Sequence, residues 1–172
     1  MPRNSLTTVM VFSMWLLSAG VGAAQPHDDK ERADVATALK DARISLEQGV
    51  SASARQGKPI SAKYEVEDGK LQLSVYTMKG THFSEVIVDH KTGKVAKAEA
   101  ITKDDDLKAA KAQSEAMARA KRSLQAAAAG AVKQNNGYRV VSVMPELRND
   151  HPVAEVTLVK GTEWKTVSEK LD

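Results

Sequence analysis

Chemistry in this chain must be built without thiols. The sequence holds no cysteine and four histidines, His27, His82, His90 and His151. Thiol nucleophiles, thiolate metal sites and disulfide staples are excluded. Acyl transfer by serine would need a base in reach and, on a hydrolase elbow, a Gly-x-Ser-x-Gly string, which the sequence lacks. His82 falls in an expected strand, and His90 and His151 fall in expected turns. They are scattered, so no catalytic residues are assigned and the protein is expected not to be an enzyme.

Metal chemistry has two starting points. A chain cut after Ala24 would begin Gln25-Pro26-His27. A free amine with histidine third can bind copper or nickel through intervening amides, but Pro26 has no N–H to give up. His27 with Asp28 and Asp29 is at most a loose cation site. Asp104-Asp105-Asp106 lacks the spacing and later glutamate of a calcium loop. It suits the start of a helix, where acids cap and meet the positive end of the dipole. No metal and no cofactor are expected.

Nucleic acid is not expected as a partner. The formal charge is +3, falling to +2 if Arg3 is removed, and lysines and arginines are interleaved with acids. Lys108, Lys111, Arg119, Lys121 and Arg122 could line a basic helix face. Leu107, Met117 and Leu124 beside them give too little apolar surface to enter a bilayer. Lys79-Gly80-Thr81 and Lys160-Gly161-Thr162 have too few glycines for a phosphate loop.

The elements that must position these residues follow from periodicity. Residues 1–24 read as a Sec-type secretory signal. Arg3 is the positive start, Val9–Leu17 the apolar run, and Gly22-Ala23-Ala24 the small residues before a cut. After removal the chain is expected to be periplasmic or secreted, with no membrane insertion.

Beyond the signal, two units are expected. Ser45-Leu46 returns as Ser123-Leu124, and Lys79-Gly80-Thr81-His82-Phe83 returns as Lys160-Gly161-Thr162-Glu163-Trp164. The offsets are 78 and 81, and the difference of three is placed near Pro145–Arg148. The units are 25–102 and 103–172. In each, a single long helix is expected first. Leu39, Ala42, Leu46, Val50 and Ala54 keep helical spacing in one unit; Met117, Ala120, Leu124, Ala128 and Val132 do so in the other. Gly57-Lys58-Pro59 and Asn135-Asn136-Gly137 end them.

The period then changes to two. Ile60–Val66, Leu71–Val75, His82–Val88 and Lys94–Ala96 read as strands, joined by Glu67-Asp68-Gly69-Lys70, Lys79-Gly80 and Asp89–Gly93. Tyr138–Met144, Val153–Val159 and Thr162–Val167 repeat the pattern, with Arg148–Pro152 as a longer loop. The fold class is α+β: two tandem units, each a long helix packed on an antiparallel meander of three to four strands. A unit of about 70 residues is marginal alone, so the two are expected to pack together or share a sheet. Phe83 and Trp164 are expected in the core.

This arrangement resembles a PepSY domain. The residues that carry the resemblance are Ile44–Val50, Ala62-Lys63-Tyr64-Glu65, Glu67-Asp68-Gly69-Lys70 and, above all, Glu85–Val95. That last segment is similar to the family's strand with an Asp-x-x-Thr-Gly-Lys-Val ending. The match covers most of residues 40–101. Residues 103–172 resemble the family through the repeat and lack the Asp-Thr-Gly ending. The resemblance implies an extracytoplasmic, non-catalytic binding module that restrains or regulates a protease or another envelope protein. The partner would be a protein or peptide of the cell envelope, with Tyr64, Tyr76, His82 and Phe83 near where it binds. The alternative is a structural or stress-related envelope protein that binds a small ligand or metal cation through the histidines and acids.

Overall fold

The structure, a computed structural model, describes residues 26–172, with side chains from Asp29 onward. The expected signal, and the His27-Asp28 side chains of the loose cation site, lie outside the described residues.

The described chain is α+β. Four α-helices and seven strands occur in the order α1 (Pro26–Ala38), a 3-10 turn (Leu39–Asp41), α2 (Leu46–Ser53), β1 (Lys58–Glu67), β2 (Lys70–Lys79), β3 (His82–Val88), β4 (Val95–Ala100), α3 (Asp104–Arg119), α4 (Leu124–Gln134), β5 (Arg139–Arg148), β6 (His151–Lys160) and β7 (Glu163–Lys170). All seven strands join one antiparallel sheet of order β4-β3-β2-β1-β5-β6-β7. The two meanders meet at β1 and β5, where only Ala62↔Val143 and Lys63↔Ser142 are in register.

Each expected long helix is two helices. Ser45 stops the first run: its hydroxyl accepts the Gln48 amide while the Gln48 side chain accepts the Ser45 amide. This capping box starts a new helix at Leu46. Ser123 does the same for α4, accepting the Ala126 amide. The helical spacing in the sequence runs through both breaks because Ala42 and Ala120, which sit in them, are small and half-buried. The aspartates 104–106 occupy the first turn of α3, after Lys103 at the cap position, and make no cap hydrogen bond. Their contribution is charge at the dipole's positive end.

Two other expectations change. The β5–β6 connection is no longer than the first hairpin. Asn149 and Asp150 both take positive φ (50° and 65°), as Asp68 and Gly69 do (49° and 73°). That is the twist a two-residue hairpin loop needs, and asparagine and aspartate tolerate it. β5 is unbroken across Pro145–Arg148, so the three extra residues are not there. They lie in α4, which has 11 residues against 8 in α2, close to one helical turn.

The register sorts the side chains. One face carries Ala62, Tyr64, Leu73, Val75, Val86 and Val88, continued by Val143, Val156 and Leu158. All are buried, under Leu46 and Val50 of α2 and Leu124, Ala128 and Ala131 of α4. Small residues bring both helices close: a Cβ on Gly49 would stand 2.2 Å from Leu73 Cδ2. The opposite face carries Ser61, Lys63, Glu65, Gln72, Ser74, Tyr76 and Glu85. It is covered as well. Gln113 of α3 accepts the Ser61 hydroxyl (2.7 Å) and reaches the Met144 sulfur (3.8 Å), so α3 crosses the β1–β5 seam. α1 lies against β1 and β2, and its Arg32 guanidinium stands over the Trp164 ring at 5.8 Å.

Candidate functional site

The charged strip on that second face is assembled from three strands. Lys63 and Glu65 alternate along β1, and Ser74 of β2 lies opposite Lys63, with Ile87 of β3 beyond it. Lys63 Nζ pairs with Glu65 Oε2 at 2.5 Å, with only 12% and 16% of their side chains exposed. Ser74 donates to the Glu85 carboxylate. Gln72 donates to Glu67 at 3.3 Å. Tyr76 is in register with Glu85 and almost fully buried.

Few counter-charges face these acids. Burial, most of all, raises the Glu65 carboxyl above its ordinary range; Lys63 opposes this, while Glu67 and Glu31 add to it. Burial likewise raises Glu85, against the Ser74 hydrogen bond and with the help of Glu65 and Glu67. Asp106, in the first turn of α3, is raised by burial and by Asp105, against Lys103 and Lys63. The Tyr76 hydroxyl is pushed far up by burial and by Glu85, Asp106 and Glu65. The strip can hold protons that exposed carboxylates would release, and it can accept hydrogen bonds.

The four sequence-derived binding residues do not form one surface. Tyr64 is buried under α2, and its hydroxyl donates to the Ile44 carbonyl at 2.9 Å. Its pKa is pushed up to about 12, chiefly by burial and further by Glu47, against Arg139. Tyr76 is buried on the other face. Phe83 is 9% exposed and faces the same way as Tyr76. His82 is exposed at the start of β3, opposite Lys79. Trp164, expected in the core with Phe83, is half-buried under Arg32 because it stands on the outermost strand.

The remaining candidates are dispersed. Among the described residues no three His, Cys, Asp or Glu side chains are placed to hold a metal ion. His151 is exposed and its Nδ1 lies 2.8 Å from Asp172. The two arginines of α3 and the following turn are engaged. Arg119 pairs with Glu115 and Asp150, and Arg122 pairs with Glu169 and donates to the Lys170 carbonyl. Among the described residues no helix is long and apolar enough to cross a membrane.

The Asp89–Gly93 turn is well formed. Asp89 accepts the amides of Lys91 (2.9 Å) and Thr92 (2.7 Å), and Gly93 takes φ 73°. These two amides hold the Asp89 carboxyl below its ordinary range. The next carbonyl, His90, accepts both Arg43 N–H (2.9 Å) and Ile44 N–H (3.2 Å). The turn therefore anchors the chain entering α2.

Fold and site together define an α+β protein: one antiparallel sheet, helices on both faces, and a buried charged strip under two of them. No family model matches the chain, and no curated protein does. Among solved structures, the chain is similar to a crystal structure of a candidate lipoprotein from Clostridium difficile 630. The identity is 15%, the TM-score is 0.41, and the match covers 66% of this chain and 75% of that one. That likeness is too distant to carry a function or a shared fold.

Proposed function

We propose that the protein is an extracytoplasmic, non-catalytic binding module of the PepSY type, secreted or periplasmic after removal of residues 1–24. It restrains or regulates a protease or another protein of the envelope. The observation that carries this reading is the Asp89–Gly93 turn, which closes β3 and at the same time anchors the start of α2. It gives the Asp-x-x-Thr-Gly string a structural task, where a surface loop would have none.

The reading includes a second, related unit at 103–172. In support, β5, β6 and β7 each begin 81 positions after β1, β2 and β3. The irregularity between Pro59 and Ser61 recurs between Val140 and Ser142, and Gly80 recurs as Gly161, with φ 62° and 61°.

Affinity for an extended segment of the partner would come from main-chain hydrogen bonds at an open sheet edge. The two edges are β4 and β7. Crosslinking in the periplasm followed by identification of the captured protein tests the proposal. Recovery of a protease or another envelope protein, lost when β7 is blocked by Thr166→Pro, is the expected result. Failure to capture any partner, together with no inhibition of envelope proteases by the purified protein, would overturn it.

A further inference from the structure

We propose that β4 is a docking edge for a second copy of this chain, which adds its own β4 antiparallel to the first and makes one continuous sheet across two molecules. In that arrangement β7 of each copy stays free for a partner.

The phase of the strand is fixed by a hydrogen bond just past its end. Ile101 N–H donates to the Phe83 carbonyl at 3.0 Å. In antiparallel pairing the hydrogen-bonded residues alternate, so with Ala98↔Val86 and Glu99↔Glu85 in register, Glu99 and Lys97 turn their backbone groups inward to β3. Ala98 and Ala100 turn theirs outward; Ala96 is the extra residue where the register shifts between Lys97 and Val95. Among the described residues no strand pairs with that side, and residues 96–100 are all exposed. Such a row of free N–H and C=O groups is a template for another strand.

The side chains select one occupant and one register. With a two-fold axis at Ala98, the outward groups of Ala98 meet those of Ala98 in the second copy as a hydrogen-bonded pair. Lys97 then stands opposite Glu99 of the second copy, and Glu99 opposite its Lys97. These are the close, non-hydrogen-bonded positions, where opposite charges attract best and like charges repel. Moving the axis to Lys97 would face lysine with lysine, and moving it to Glu99 would face glutamate with glutamate. Lys97 and Glu99 already lie 2.8 Å apart within one copy, about half exposed, so both are on hand for the partner strand. The other face of β4 offers the methyl groups of Ala98 and Ala100, which leave room for a neighbour. β7 lacks this self-match: Glu169 is committed to Arg122 and Gln134, and Trp164 to Arg32.

A six-residue strand pair is small for a stable interface, so association is weak, with dimers forming at roughly 100 μM to 1 mM. Sedimentation of the purified protein over that range is expected to show a rising dimer fraction. Lys97→Glu and Glu99→Lys should each weaken the dimer at least about fivefold, and the doubly reversed variant should restore it. Ala98→Pro removes an outward N–H without touching the β3–β4 ladder and should abolish it, with unchanged circular dichroism. A protein that is monomeric throughout, a double variant no better than the singles, or a dimer indifferent to Ala98→Pro would overturn the proposal. None of these results bears on capture of an envelope partner.

Discussion

The carbonyl oxygens of His90 and Leu171 perform one task 81 positions apart. His90 accepts the amides of Arg43 and Ile44; Leu171 accepts those of Lys121 (2.6 Å) and Arg122 (2.9 Å). In each case the residue just beyond an anchored pair is the serine that caps a helix, α2 or α4. The end of a meander thus fixes where the covering helix begins.

That arrangement makes the two serines strong points. Ser45→Ala removes the hydroxyl half of a capping box and leaves the backbone N–H at position 45 to the Gln48 side chain, and Ser123→Ala removes a cap bond. Each should cost about 1 kcal/mol of unfolding free energy, within a range of about 0.5–2. Urea titration of each variant measures it. A loss near zero for Ser45→Ala would show that the His90 anchor alone positions α2.

Gly49 should not tolerate a side chain. A methyl group there would overlap Leu73, which has no exposure to yield into. Gly49→Ala should destabilise by about 1–3 kcal/mol. Leu73→Ala alone should cost about 2–5 kcal/mol through the cavity it leaves. The double variant should lose clearly less than the two losses combined, since the new methyl enters the vacated space. Strict additivity would argue against the contact.

Glu169 is a buried carboxylate held by Arg122 (3.4 Å) and Gln134 (3.1 Å). Arg122→Met leaves it with the glutamine alone and should cost about 1–3 kcal/mol, less than for a fully buried pair because the arginine is partly in water. Glu169→Gln in the Arg122→Met background should recover part of that loss, read in the same titration.

The charged strip sets a pH dependence. Glu65 and Glu85 have carboxyls raised in the folded state, chiefly by burial. A group that binds its proton more tightly folded than unfolded adds stability as pH falls from neutral through its folded pKa. The gain is complete below the ordinary carboxyl value, about 4.3. Asp89 works in the opposite sense: its folded carboxyl is lowered, and its contribution is lost as pH falls through that value. Comparison with a variant isolates the strip. Glu85→Gln should raise Tm at pH 7 by roughly 2–5 °C and flatten the change between pH 7 and pH 4. An unchanged slope would remove Glu85 as its source.

The meanders were legible in the sequence because alternation and Asp-Gly turns are local signals. The helix breaks are harder to see, although Ser45-x-x-Gln48 has the spacing of a capping box. Helical spacing that continues through Ala42 outweighed it. Asn149-Asp150 hid a two-residue turn because neither residue is glycine. The charged strip is hidden in the sequence for a different reason. Its members sit on three strands, and a polar face of a sheet reads as solvent-facing until α1 and α3 are known to cover it. Parity along the hairpin sends Tyr64 and Tyr76 to opposite faces of the sheet.

The narrow seam between β1 and β5 carries a consequence for the order of events during synthesis. Ala62 finds Val143 only after some eighty further residues have emerged, and the Ser61–Gln113 and Lys58–Met117 contacts also wait on later chain. Until then the first meander has two bare margins, β4 and β1, and a polar face covered by α1 without α3. A nascent chain paused in that state is the species most exposed to mispairing. Closure of the centre of the sheet is therefore a late step on the way to the native molecule, and a slow one compared with forming either hairpin.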